Sequence, residues 1–137
     1  MPNVKRPSCP YIGILIWGNL LPFVSRIKGI SPTIRLIRRL AALAPADGCC
    51  IEDYSRSIDR LVKRKPFLFW ARHRTCLIRG LLLYYFGKRN RLEVRLSFGS
   101  KPAARGFDTH CWIVLEGTIR FEVDEVIKQY TPLIEYV

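Results

Sequence analysis

Two side chains suited to thiol chemistry fall in sequence runs of different character. Cys76 lies near the start of an apolar run from Thr75 to Phe86, and His110 heads a predicted strand in the run that ends at Gly117. A thiol hydrolase needs a thiolate, a base that forms and holds it, and a group that orients the base. A cysteine in the first turn of a helix also feels the positive end of the helix dipole, which lowers the thiol pKa. The two residues therefore predict a nucleophile and its general base.

The predicted third member of the site depends on the register of one hairpin. A three-residue loop over Leu115–Gly117, with glycine in the left-handed conformation, would pair His110 with Glu122 across two strands. A two-residue turn at Glu116-Gly117 would instead put Glu122 on the opposite face. Asp124 has the same strand parity as Glu122 and is the alternative third member. The sequence thus predicts that Glu122, or in its place Asp124, orients the histidine.

Each of these residues also has an ordinary structural interpretation. A cysteine in an apolar helix commonly behaves as a small hydrophobic residue, and a histidine at a strand end commonly bonds to a loop. His73 precedes Cys76 by one helical turn and is a rival base. Cys49, Cys50, His73 and Cys76 could be drawn as a metal set, but zinc ligand pairs are usually spaced by about two to four residues. We therefore expect neither a metal nor a cofactor.

The first half of the chain predicts helices. A serine cap followed by proline starts one at Ser31-Pro32, and Ala44-Pro45 ends it. Apolar residues at helical spacing predict another from Ile51 to Val62, which Lys65-Pro66 ends. The uncharged run from Tyr11 to Val24 lacks a signal-peptide cleavage site and is shorter than the roughly 20 residues that span a bilayer. It predicts a buried helix, with peripheral membrane contact as the alternative.

The second half predicts one helix followed by an antiparallel sheet. The helix that carries Cys76 is apolar almost throughout, so we expect it to be central and to stop at Gly87. The apolar period then changes to strict alternation, which is typical of half-buried strands. The predicted segments are a strand at Leu92–Phe98, a loop at Gly99–Gly106, strands at His110–Leu115 and Thr118–Val123, and a short last strand within Tyr130–Val137.

This order of elements predicts an α+β fold, with a helical first half and a small antiparallel sheet packed on the cysteine helix. The length of 137 residues fits a single domain, residues 1–137. Within it, residues 1–65 form a basic helical region, and residues 66–137 form the catalytic helix and sheet.

Composition limits the partners and the compartment. With 49% hydrophobic residues the chain can bury a core, and its net charge of +12 favours an acidic partner. Charge alone does not distinguish nucleic acid, an anionic membrane and an acidic peptide. No zinc finger or aromatic-rich single-strand motif is found, so nucleic acid is not expected. Five cysteines form no regular framework, which argues against a secreted disulfide scaffold and for the cytoplasm.

Together the motifs resemble the lasso-peptide leader peptidases, which are stand-alone processing proteases of the transglutaminase-like, papain-related class. The shared motifs are Cys-Leu-Ile-Arg-Gly at Cys76–Gly80, an Arg-rich strand ending in Phe-Gly, and His-Cys-Trp at His110–Trp112, within residues 70–130. By this resemblance Cys76 is the nucleophile and His110 the general base. Glu122 stands where the family usually has Asp. Two other positions depart from the family: Cys111 replaces a common Ala, and Val114 a common Glu.

The resemblance implies a cysteine protease that cleaves the leader from a ribosomally synthesised precursor peptide. It also implies a separate leader-recognition protein that delivers the precursor, and a lasso cyclase that acts on the released core. Two alternatives remain open at this point. One is a small basic protein that binds nucleic acid or an anionic membrane, with Cys76 and His110 in structural roles. The other is a transglutaminase-like acyl transferase.

Overall fold

Helices occupy most of the first part of the chain, and an antiparallel sheet occupies most of the second. The computed structural model describes residues 11–64 and 75–137. In these ranges helices α1 to α5 span Tyr11–Lys28, Ile30–Leu43, Ile51–Arg64, Thr75–Arg89 and Asp124–Ile127. Strands β1 to β4 span Val94–Pro102, Phe107–Leu115, Thr118–Arg120 and Thr131–Tyr136, and they form one antiparallel sheet in the order β3-β2-β1-β4. The predicted α+β fold is confirmed.

Helix α4, which carries Cys76, is the central element of the core. Every residue from Leu77 to Gly87 except Arg79 is buried. The helix contacts α1, α2 and α3 and also β1 and β2, and one hydrophobic cluster joins residues of all these elements. A helix that is covered on nearly all sides must be apolar on nearly all sides. This explains the composition of the run and confirms the expected central position.

The end of α4 lies beyond the predicted stop at Gly87, because this glycine has a different role. The helix continues to Arg89. A Cβ atom at Gly87 would lie 2.9 Å from Val94 Cγ1. Glycine is therefore required by the close approach of β1 to the helix rather than by a helix stop.

The boundaries of α2 and α3 agree with the sequence prediction except at the start of α2. This helix begins at Ile30, because Gly29, with φ of +88°, separates it from α1. The predicted Ser31-Pro32 start therefore lies inside the helix. The end at Leu43 and the helix over Ile51–Arg64 are as predicted. The predicted stop at Lys65-Pro66 lies outside the described residues.

Helix α1 is confirmed as a helix, but it is buried on one side only. Ile14 and Leu21 are fully buried, whereas Ile12 is 71% and Ile16 56% exposed. The difference arises because α1 lies at the outside of the helical layer, with α4, α2 and α3 all on its inner side. In the parts of the chain that the structure describes, no helix has the length and apolarity needed to cross a membrane.

The β1–β2 hairpin is longer than predicted. Its pairing runs from Val94 with Leu115 to Pro102 with Phe107, so the predicted loop at Gly99–Gly106 is reduced to residues 103–106. Gly99 is a strand residue, and a Cβ atom there would lie 2.8 Å from Trp112 Cη2. The glycine thus makes room for an indole ring within the sheet, and it does not break the strand. Strand β4 confirms the short last strand.

Candidate active site

The β2–β3 hairpin has the register that the sequence analysis did not favour. Leu115 pairs with Thr118, and Ile113 pairs with Arg120. Glu116 and Gly117 form a two-residue turn with φ of +50° and +79°. Two successive positive φ values are typical of the tight turn that matches strand twist in hairpins. The predicted three-residue loop, and with it the direct pairing of His110 with Glu122, is wrong.

Glu122 nevertheless reaches the imidazole, by a different route. Strand β3 ends at Arg120, so the predicted extension to Val123 is also wrong. Phe121 has φ of +65°, a left-handed conformation that interrupts the alternation of faces. Glu122 Oε1 consequently lies 3.3 Å from His110 Nε2. The two side chains are 17% and 19% exposed, so solvent screens this contact only partly.

The sequence offered three other candidates, namely the carboxylate Asp124, the base His73 and a metal set. Asp124 is exposed at the first position of α5, and the carboxylate that contacts His110 is that of Glu122. The rival base His73 lies outside the described residues. Within residues 11–64 and 75–137, no group of three or more His, Cys, Asp or Glu side chains is arranged to hold a metal.

Cys76 is the second residue of α4 and is half-buried. Its pKa is lowered from the ordinary value of 9.0 to about 6. The largest cause is a hydrogen bond from the Cys111 side chain, which lowers the pKa. Burial of Cys76 acts in the opposite direction and raises it. The charge and the hydrogen bond of His110 lower the pKa further. Because the pKa lies below neutrality, most of Cys76 is thiolate at pH 7, and the thiolate is the nucleophilic form.

His110 can therefore contact both other members of the site. Its Nε2 faces Glu122, and its side chain hydrogen-bonds the Cys76 thiol. Cys76, His110 and Glu122 thus have the sulfur–imidazole–carboxylate order that nucleophilic catalysis uses.

Cys111 is a contact of Cys76 that sequence reasoning noted only as a departure from the family pattern. Its Sγ lies 3.0 Å from the Cys76 carbonyl oxygen. A Cβ atom at Gly80 would lie 2.9 Å from this Sγ. Cys111 therefore fits against the helix only because residue 80 is glycine. The pKa of Cys111 is raised well above 9.0, chiefly by its hydrogen bond to Cys76 and then by burial.

Arg79 connects the carboxylate of the site to a second helix. It follows Cys76 by three residues on α4, which places both on one side of the helix. Its Nη1 lies 3.6 Å from Glu122 Oε1, and its Nε lies 3.3 Å from Asp59 Oδ1 on α3. The sequence marked Arg79 only as part of a motif, because its two partners are distant in the chain.

Tyr130 covers the imidazole, and nothing in the sequence indicated it. Its ring stacks on His110 with 5.3 Å between centroids, while Trp112 lies 6.3 Å from the same imidazole. The Tyr130 hydroxyl donates a 2.8 Å hydrogen bond to Asp108 Oδ2, which raises the pKa of Tyr130 to about 12. The tyrosine is held as a neutral ring and restricts the orientation of the histidine.

An open cleft of about 520 Å³ adjoins the cysteine and the histidine. This size is within the usual range of ligand sites. Most of its described walls are apolar side chains that belong to α2, α4, β1 and β4, namely Ile30, Leu77, Phe98, Leu133, Ile134 and Tyr136. The arrangement can hold a peptide side chain while Cys76 faces an adjacent carbonyl.

Comparison with protein families assigns the chain to a class. The family model described as the transglutaminase-like superfamily matches residues 18–135, from within α1 to within β4. Comparison with curated proteins and with solved structures gave no match. The matched family supports chemistry of the cysteine-protease or acyltransferase type, in which an activated thiol attacks an acyl carbonyl. By the extent of this match, the protein belongs to the transglutaminase-like superfamily.

Proposed function

We propose that the protein is a cysteine endopeptidase that removes the leader segment from a ribosomally synthesised lasso-peptide precursor. The observation that carries this proposal is the Cys76 thiol, with its pKa lowered to about 6 beside His110. The Glu122 carboxylate behind the imidazole adds support. The choice of a leader peptide as substrate is supported by the resemblance of Cys76–Gly80 and His110–Trp112 to the leader peptidases.

In this mechanism Cys76 Sγ attacks the carbonyl carbon at the junction of leader and core. His110, which has taken the thiol proton of Cys76, delivers it to the leaving amine, and the core is released while the leader stays bound to Cys76 as a thioester. His110 then removes a proton from water, which attacks the thioester and frees the leader with a new carboxylate. Glu122 holds the imidazole in one tautomer throughout. The backbone N–H of Cys76, in the first turn of α4, has no partner within the helix and can donate to the oxyanion.

The cleft supports an apolar substrate residue next to the cleaved bond. A charged side chain that entered these walls would lose its hydration without gaining a partner, whereas an apolar one gains about 0.8 kcal/mol for each buried CH₂ group. We therefore propose that a leucine-sized or phenylalanine-sized residue near the junction is preferred over aspartate or lysine.

The proposed partners are a separate leader-recognition protein and a lasso cyclase. The first acidic residue of the chain is Asp47, and exposed cations such as Arg35 and Arg39 lie on α2. This basic surface supports docking of an acidic leader or of an acidic recognition protein. The exposed Ile12 and Ile16 of α1 support a peripheral membrane contact of the same region.

The proposal is tested by incubating the purified chain with a precursor peptide and its recognition protein, followed by mass spectrometry of the products. Cleavage at one junction is expected with the natural sequence. It should be lost with Cys76→Ala and with His110→Ala, while circular dichroism reports whether each variant is folded. Undiminished cleavage by both folded variants would exclude the mechanism.

A second candidate is an acyl transferase, which the match to the transglutaminase-like superfamily supports as well. It uses the same thioester on Cys76, but an amine instead of water attacks it. The two functions differ in product, so the incubation is repeated with a primary amine in excess. A leader with a free carboxylate indicates hydrolysis, and a leader joined to the added amine indicates acyl transfer.

A further inference from the structure

A second thiol is held against Cys76 in this structure. Cys76 and Cys111 are both free cysteines, and their side chains hydrogen-bond one another. Cys111 Sγ also lies 3.0 Å from the Cys76 carbonyl oxygen, and the close approach of Gly80 fixes it there. This contact puts the Cys111 sulfur within reach of residue Cys76, and a disulfide forms where two Cβ atoms come within about 3.5 to 4.5 Å of each other.

The two sulfurs differ in their exposure. Cys76 lines the open cleft, where a small solute can reach it. Cys111 borders the same cleft, but it is only 3% exposed, whereas Cys76 is half-buried. Thiolates with low pKa are the form that peroxides oxidise, and the pKa of Cys76 is about 6. An oxidant in the cleft therefore reacts with Cys76 first, and the Cys111 thiol lies next to the oxidised residue.

We propose that Cys111 is a resolving thiol, which closes a reversible disulfide with Cys76 after hydrogen peroxide has oxidised Cys76. In the first step the Cys76 thiolate attacks one peroxide oxygen, an S–O bond forms, the O–O bond breaks and hydroxide leaves. Sulfur is oxidised to sulfenic acid, and the peroxide is reduced. In the second step the Cys111 sulfur attacks the Cys76 sulfur, an S–S bond forms, the S–O bond breaks, and water leaves with the thiol proton.

Oxidation of Cys76 in the first step also removes the thiolate that accepts the hydrogen bond of Cys111. The largest cause of the raised pKa of Cys111 is its hydrogen bond to Cys76. Once Cys76 is a sulfenic acid, its sulfur no longer carries the negative charge that accepted this proton. Cys111 then ionises more readily and can attack. Formation of the disulfide protects Cys76 from the sulfinic acid, which is not recovered by thiols.

The test uses the purified full-length chain and hydrogen peroxide, at an alkaline pH where Cys76 is ionised in every protein compared. Remaining thiols are blocked with iodoacetamide, and the chain is digested with trypsin without reduction. Thr75–Arg79 and Gly106–Arg120 are predicted tryptic peptides with one cysteine each. The expected product is these two peptides joined by a disulfide, and dithiothreitol should release both with unmodified cysteine.

Cys111→Ala and Cys111→Ser are expected to give no joined peptide and several-fold more sulfinic acid at Cys76. Cys50→Ser removes an exposed thiol that lies outside the site and should leave the joined peptide unchanged. The proposal is overturned if the natural sequence accumulates sulfinic acid at Cys76 as fast as the folded Cys111 variants do, or if no joined peptide forms. Because no peptide substrate takes part, this result is independent of the proposed peptidase activity.

Discussion

Glu122 Oε1 lies 3.3 Å from His110 Nε2, although the two residues are not paired in the sheet. The left-handed conformation of Phe121 interrupts the alternation at the end of β3 and leaves the carboxylate beside the imidazole. The contact is therefore made by an irregular segment. Its function can be tested against Asp124, which lies two residues further on and is exposed.

Glu122→Gln is expected to lower kcat of peptide cleavage by on the order of 10²- to 10⁴-fold, because an amide does not hold the productive imidazole tautomer. Asp124→Asn is the matched control, and as an exposed substitution it should change kcat by less than about threefold. Both are measured with the same precursor peptide. If only Asp124→Asn loses activity, Asp124 rather than Glu122 is the residue that orients His110.

The reactivity of Cys76 should depend on pH with a midpoint near 6, its lowered pKa. The thiolate is present above this pKa, so the rate of alkylation by iodoacetamide should fall as pH decreases through about 6. Cys111→Ala removes the largest cause of the lowering and should move the midpoint to higher pH. His110→Ala should move it in the same direction, because it removes a favourable charge and hydrogen bond. An unchanged midpoint in Cys111→Ala would contradict the assigned cause.

Arg79→Gln is expected to lower kcat by about 10- to 100-fold with little change in KM, because Glu122 loses the guanidinium that fixes its position. Asp59→Asn should have a smaller effect, since the contact of Arg79 with Glu122 remains. Arg95→Gln is the matched control, because Arg95 pairs with Glu93 and Glu135 instead.

These three variants are compared by kcat, KM and the pH profile of kcat, with thermal unfolding measured alongside. A purely structural role for Arg79 would lower the midpoint of unfolding and leave the kcat of the folded fraction unchanged. That result would show that Arg79 does not position Glu122 for catalysis.

Gly80→Ala should displace Cys111, because the new Cβ atom would lie 2.9 Å from Cys111 Sγ and 3.0 Å from Leu96 Cδ1. Overpacking of this kind costs about 1 to 3 kcal/mol in the free energy of unfolding. The alkylation midpoint of Cys76 should rise as well. Gly87→Ala, which would place a Cβ atom 2.9 Å from Val94 Cγ1 on the same helix, should destabilise similarly without that rise. Urea denaturation and alkylation kinetics measure the two effects separately.

The sequence by itself determined the type and order of the main elements, and it marked Cys76 and His110 as candidate site residues. The apolar run after Cys76 required a central helix, and the alternation from Leu92 to Phe98 required a strand, because each pattern is local and repeats over several residues. The motifs that begin at Cys76 and His110 carried the resemblance to the transglutaminase-like class, which the family match confirms.

The tertiary structure alone decided how these elements meet. The contact of Glu122 with His110 depends on the φ angle of one residue, Phe121, and a parity rule assumes an uninterrupted strand. The approach of Cys111 to Cys76 depends on Gly80, where a missing side chain brings β2 against α4. Both are contacts between segments distant in the chain, and side-chain periodicity reports only the face a residue occupies. The neighbour it meets on that face is set by side-chain volumes throughout the core.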